Sequence, residues 1–168
     1  MSKSAQALWD EFVSTGTNDA SAAVDTTYST WAFGDSPDMA DRLLALVITG
    51  VKRATCGSLD AYRSRGEAVP VPGEYSVVCD GAGEARCVIQ TISVRIIAFE
   101  DVDEAFAAEE GEGDRSLASW RRGHMAYFER DLARLGLAAS PHMPLVCERF
   151  RVLYVRGDGR PHATTRPL

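Results

Sequence analysis

Lysine is almost absent from this 168-residue chain: Lys3 and Lys52 are its only two, and arginine supplies the rest of the positive charge. Arginine serves equally well as a surface cation. Lysine matters where an amine must give up a proton, because burial lowers its pKa far more readily than arginine's. The scarcity directs attention to Gly50-Val51-Lys52-Arg53-Ala54-Thr55, where Thr55 is a hydroxyl that such an amine can activate.

Other absences narrow the field. The longest apolar run, Leu43 to Ile48, is too short to span a bilayer, and the first residues show no secretory apolar stretch. Cys56, Cys79, Cys87 and Cys147 have neither CxxC pairing nor metal-finger spacing, so they read as reduced thiols in a cytoplasmic protein. Positive charge is also scarce, with a net charge of -6 and a pI near 5.1. A protein that tracks many phosphates carries a basic face. This balance disfavours long nucleic acid and leaves room for one nucleotide or a short single strand in a local pocket. At 45% hydrophobic and 25% charged residues the chain suits one soluble globular domain with a real core.

Periodicity supplies the elements. Leu8, Trp9, Phe12 and Val13 predict a short amphipathic helix over 4–14, followed by a polar link from Thr15 to Asp25. Tyr28 to Phe33 alternates as a strand. Ser36 and Pro37 start a helix that Gly50 ends, which places Lys52 just past a helix C-terminus. Residues three apart in a regular strand point to opposite faces, so cooperation between Lys52 and Thr55 requires an irregular entry into the strand. A helical turn over 58–65 carries Tyr62. A hairpin loops at Asp80-Gly81-Ala82-Gly83, and a β-rich run extends from Ala85 to Phe99. A short helix from Asp101 to Glu110 is closed by Gly111, and Asp114 is expected to cap a longer one reaching about Leu135. Leu145 to Val155 is the final strand. The expectation is α+β: an N-terminal helix and link over 1–27, one main domain over 28–155, and a polar tail over 156–168.

The motifs also carry a resemblance. Phe33-Gly34-Asp35-Ser36, Ala40-Asp41, Leu43-Leu44 and Gly50-Val51-Lys52 with Ala54-Thr55 are similar to the first half of ASCH-domain proteins. Pro72-Gly73-Glu74, the run Glu109 to Asp114, Ser116-Leu117, Trp120-Arg121, His124 and Cys147-Glu148-Arg149-Phe150 continue it in the same order. The resemblance implies a PUA-like small β-barrel of mostly antiparallel strands with flanking helices, and RNA binding. Related small bacterial proteins hydrolyse the amide of N(4)-acetylcytidine through a Lys-x-x-Thr motif and a later glutamate. The resemblance thus implies catalytic roles for Lys52, Thr55 and Glu110, with a modified cytidine or other nucleoside, or short single-stranded RNA, as partner. It also keeps open a ribonuclease acting on single-stranded RNA and a noncatalytic RNA or nucleotide reader.

Amide hydrolysis needs a nucleophile, a proton acceptor and an acid for the leaving amine. Thr55, a desolvated Lys52 and Glu110 fill these roles; the bland alternative pairs Lys52 with a surface carboxylate. Phe33, Arg53, Tyr62, Glu112, Trp120, Arg121 and His124 are the expected substrate contacts. Tyr62, beside Arg63 and Arg65, is the better exposed aromatic for stacking on a base, whereas core packing competes for Phe33 and Trp120. His124 lies at helical spacing with Leu117, Trp120 and Phe128, which equally suits a hydrogen-bonded inner-face residue. An ion pair is the alternative for Arg121, and Glu148-Arg149 reads as a structural pair. No cofactor is called for; the divalent cation that an acidic cluster allows would take Glu110, Glu112 and Asp114. Oligomeric state, monomer or dimer, is not legible.

Overall fold

The structure is a computed structural model describing residues 3–157. The expected polar tail therefore lies, from residue 158 onward, outside the described residues. Its elements are helices α1 (Lys3–Ser14) and α2 (Asn18–Ala23), strand β1 (Tyr28–Ala32), helix α3 (Pro37–Ile48), strand β2 (Ala54–Ser58) and helix α4 (Leu59–Arg65). Strands β3 (Tyr75–Cys79) and β4 (Ala85–Ala98), a 3-10 turn (Phe99–Asp101), helices α5 (Glu104–Glu110) and α6 (Leu117–Ala133) and strand β5 (Pro144–Val155) complete it. The class is α+β, as expected. The strands are hydrogen-bonded in the order β1-β3-β4-β5-β2; β3 and β4, and β2 and β5, pair antiparallel, while β1 runs parallel to β3.

The chain divides into two compact units. Residues 3–50, 73–91 and 150–157 form one, and residues 51–72 with 92–149 form the other. In the first, Leu8, Trp9 and Phe12 of α1 pack with Tyr75, Val77 and Val88. The segment read as a polar link contains α2 instead: Thr17 caps it, its hydroxyl accepting from Ala20 N at 3.2 Å. Only Ala20 and Ala23 are buried from that helix, too little apolar surface to mark it by periodicity. Helix α3 starts as expected, with Ser36 Oγ accepting from Met39 N at 3.3 Å and Pro37 in its first turn. The expected hairpin loop is closed by Asp80, whose carboxylate accepts from Ala82 N and Glu84 N.

The second unit holds every residue of the site described below except Phe33. Its core joins Ala54 of β2, Phe106 and Ala107 of α5, Trp120, Phe128 and Leu132 of α6, and Leu145 and Cys147 of β5. Asp103 caps α5 through Phe106 N at 2.8 Å. The cap of α6 is Ser116, not Asp114: Ser116 Oγ accepts from Ser119 N at 3.1 Å. Asp114 acts one step earlier, accepting from Ser116 N at 2.9 Å and Ser116 Oγ at 2.6 Å. A carboxylate can thus orient a capping hydroxyl without capping the helix itself.

Candidate functional site

The site is assembled where the end of α5 meets the chain entering β2. Glu110 is the last residue of α5, and Gly111 follows in the left-handed conformation at φ +72°. A Cβ there would lie 2.7 Å from Val51 O, so the close approach and the positive φ both require glycine. Beside it, Arg53 N donates to Glu109 O at 2.8 Å. These contacts hold residues 51–53 against the α5 terminus. They also keep Lys52 and Arg53 outside the regular strand, which begins at Ala54. The irregular entry expected from the sequence is present.

Lys52 sits at the centre. Its Nζ donates to Glu110 Oε2 and Glu112 Oε1, both at 2.7 Å. Lys52 and Glu110 are each 1% exposed, whereas Glu112 is 31% exposed and forms the solvent side of the pair. The second carboxylate oxygen of Glu110, Oε1, accepts from Trp120 Nε1 at 3.2 Å and faces His124 Nε2 at 3.4 Å. His124 Nδ1 lies 3.1 Å from Trp120 O. A carbonyl only accepts, so Nδ1 carries a hydrogen, and the Nε2 facing a carboxylate favours a second one. The imidazole is stacked on the Trp120 indole, with centroids 4.2 Å apart and planes 18° from parallel.

Electrostatics follow from this packing. Burial is the largest single influence on Glu110 and would raise its pKa; Lys52 and then His124 outweigh it and hold the carboxyl well below the usual range. Burial likewise pulls Lys52 down, but Glu110 and Glu112 together raise it above its ordinary value. His124 is raised too, with Glu110 overcoming burial. Lys52 and His124, both raised, thus stand against Glu110, which is lowered, and Glu112 flanks Lys52 on the solvent side. This corrects the expectation of a lysine that burial alone would deprotonate: the sequence showed the amine but not the two carboxylates on it. The thiol of Cys56 joins the group, since its Sγ and the donor atoms of Glu110 and His124 all lie within 4.8 Å of one another. Burial first, and Glu110 second, push that thiol well above its ordinary value.

Thr55 is directly opposite Glu148 in the antiparallel β2–β5 register, so the two side chains share a face. Strand alternation sends Ala54 and Cys56 to the other face. Glu148 is 6% exposed. Tyr62 lies near this side: its ring fills the space left by Gly57, where a Cβ would meet Cε2 at 3.0 Å. Burial, then Glu148, pushes the Tyr62 phenol up to about 12. Tyr62 is half-buried and not the exposed aromatic expected.

The remaining expected contacts are dispersed. Phe33 is buried in the core of the first unit against Phe150. Arg53 is exposed next to Lys52. Arg121 donates to Glu100 O at 3.0 Å, bracing the 3-10 turn. Arg149 Nε donates to Glu109 in a part-buried ion pair, with its guanidinium 5.2 Å from the Phe106 ring centroid. Between Glu110 and Glu112, where the sequence allowed a cation, the Lys52 ammonium stands; Asp114 is exposed and engaged by Ser116. Sequence reasoning missed Cys56. Alternation within the strand sets Cys56 on the face of Ala54, the buried one, a signal that was available.

The ASCH-domain model matches residues 29–154. The chain belongs to the ASCH-domain family. Two solved structures are similar to nearly the whole chain. An ASCH domain from Lactobacillus crispatus is 33% identical, with a TM-score of 0.82, covering 90% of this chain and 95% of that one. A protein from Enterococcus faecalis is 32% identical, also at 0.82, covering 98% of this chain and 100% of its own. No curated protein matches the chain. The fold is thus PUA-like, an RNA-binding architecture, as the resemblance implied. Among the described residues no helix is long and apolar enough to cross a membrane.

Proposed function

We propose that this ASCH domain binds a nucleoside and hydrolyses the amide of an N(4)-acylated cytidine or a similar modified base. The observation that carries the reading is the buried Lys52 ammonium, bridged by Glu110 and Glu112 at 2.7 Å each, three residues before Thr55. A buried lysine and carboxylate are costly to keep unless their pairing serves the fold or the chemistry. Lys52 rests protonated in this arrangement, so it acts as a relay. Thr55 Oγ1, on the Glu148 face of β2, attacks the acyl carbon, and its proton reaches Lys52 through an intervening water as the ammonium gives one to the departing cytosine nitrogen. The acyl group is left as an ester on Thr55, and water hydrolyses it with the protons moving the same way. Lys52 ends each half-reaction as it began. Glu110 holds the ammonium in place, and Glu112, on the solvent side, meets the base.

Purified protein incubated with N(4)-acetylcytidine should release cytidine and acetate. Folded Thr55→Val and Lys52→Met variants should not. The raised Lys52 pKa also suits a second reading, a noncatalytic site whose fixed charges recognise a nucleotide or short RNA. Retained binding of cytidine without turnover would favour it. Cleavage of labelled single-stranded RNA that a chelator stops would favour the ribonuclease reading instead.

A further inference from the structure

Three side chains from three different elements converge on one point beside Lys52: Cys56 from β2, Glu110 from the end of α5 and His124 from α6. Their sulfur, oxygen and nitrogen atoms all lie within 4.8 Å of one another. We propose that Cys56, Glu110 and His124 bind one divalent transition-metal ion of the zinc type. This inference does not rest on the hydrolase reading, since Thr55 is not among the ligands.

The geometry suits that ion. Tetrahedral zinc, with bonds of about 2.0–2.1 Å to nitrogen and oxygen, places neighbouring N and O ligands roughly 3.3 Å apart. His124 Nε2 and Glu110 Oε1 are 3.4 Å apart. The other ring nitrogen of His124 donates to Trp120 O, the outer bond that fixes the tautomer of a metal-binding histidine and turns Nε2 toward the metal. Glu110 divides its work: Oε2 takes the Lys52 ammonium, while Oε1 faces His124. Oε1 has a lone pair for the metal beside the Trp120 N–H bond. A mixed S, N and O donor set selects zinc or cobalt over magnesium or calcium, which take oxygen.

The M–S bond forms as the Cys56 thiol proton leaves to solvent, and the M–N bond as His124 Nε2 gives up any proton it holds. Lys52 and Glu112 offset each other beside the site. Three protein ligands leave a fourth position for water, the arrangement of an open rather than a purely structural zinc site. This position differs from the acidic cluster the sequence suggested: only Glu110 is common to both.

The test uses the full chain, stripped with a chelator, desalted and titrated with Co²⁺ as a spectroscopic stand-in for zinc. The expected result is one equivalent bound, with a near-ultraviolet thiolate-to-cobalt band and tetrahedral visible bands. Zn²⁺ should displace the cobalt. Cys56→Ser should remove the near-ultraviolet band, and Cys147→Ser, which alters the residue opposite Cys56 in the ladder, should keep it. His124→Gln should weaken binding by at least about tenfold. Wild-type protein that gives no thiolate band at saturating Co²⁺ overturns the site, with no variant needed. A band that survives Cys56→Ser, or disappears only in Cys147→Ser, overturns the assignment as well.

Discussion

Lys52 Nζ and Glu110 Oε2 are 2.7 Å apart across 58 residues of sequence, and both side chains are 1% exposed. An ion pair so buried is stabilising only while both partners are present; removing one leaves an uncompensated charge, at a cost of about 3–5 kcal/mol. Glu110→Gln or Lys52→Met alone should therefore lower the melting temperature of a chain this size by roughly 6–20 °C. The double variant should lose less than the sum of the two. Additive losses in a calorimetric double-mutant cycle would show that the two charges are not coupled.

Gly111 is the hinge on which this pairing depends. Its positive φ and its close approach to Val51 O leave no room for a side chain. Gly111→Ala should destabilise the fold by more than the roughly 1 kcal/mol of an ordinary Gly-to-Ala conflict. It should also displace Glu110 and Glu112 together, seen as loss of any ligand binding at Lys52. Gly123→Ala is the control, because a Cβ there meets nothing within 4 Å; equal melting temperatures for the two variants would refute the role assigned to Gly111.

The charged group also predicts a pH profile for chelator-treated protein. Glu110 is depressed from 4.5, so its contribution is complete above that value and is lost as pH falls through the folded pKa. His124 is raised from 6.5: its contribution is present below 6.5 and is lost as pH rises through the raised value. The groups facing it are Glu110, Glu112, Lys52 and Cys56. Stability by denaturant titration should therefore fall on both sides of a maximum, and His124→Gln should flatten the alkaline side. An unchanged alkaline limb in that variant would contradict the protonated imidazole.

Much of this arrangement was legible in the sequence, and the limits have physical causes. Ser36, Pro37 and Gly50 marked α3 because capping is local, and Asp80 with its glycines marked the hairpin for the same reason. The irregular strand entry after Lys52 was expected from the supposed cooperation of Lys52 with Thr55; the entry is irregular, while Lys52 turns to Glu110 and Glu112. Helix α2 escaped because two buried alanines make no pattern. Glu110 came from family resemblance, since its approach to Lys52 depends on Gly111 packing against Val51, a contact no periodicity encodes. The direction of the Lys52 pKa was misjudged because burial and neighbouring charge oppose each other, and only coordinates show both. Cys56 was overlooked because the absence of a CxxC motif says nothing about a thiol that meets a carboxylate and an imidazole from other elements.

The central claim is that Lys52, Thr55 and Glu110 form a hydrolytic site for an acylated cytidine. Its most direct test is the rate of cytidine formation from N(4)-acetylcytidine, followed by chromatography, for wild type and for a Thr55→Val variant of unchanged melting temperature. The account predicts turnover by the wild type and none above background by the variant. Absence of cytidine from the wild type, or equal rates in the two proteins, would contradict it.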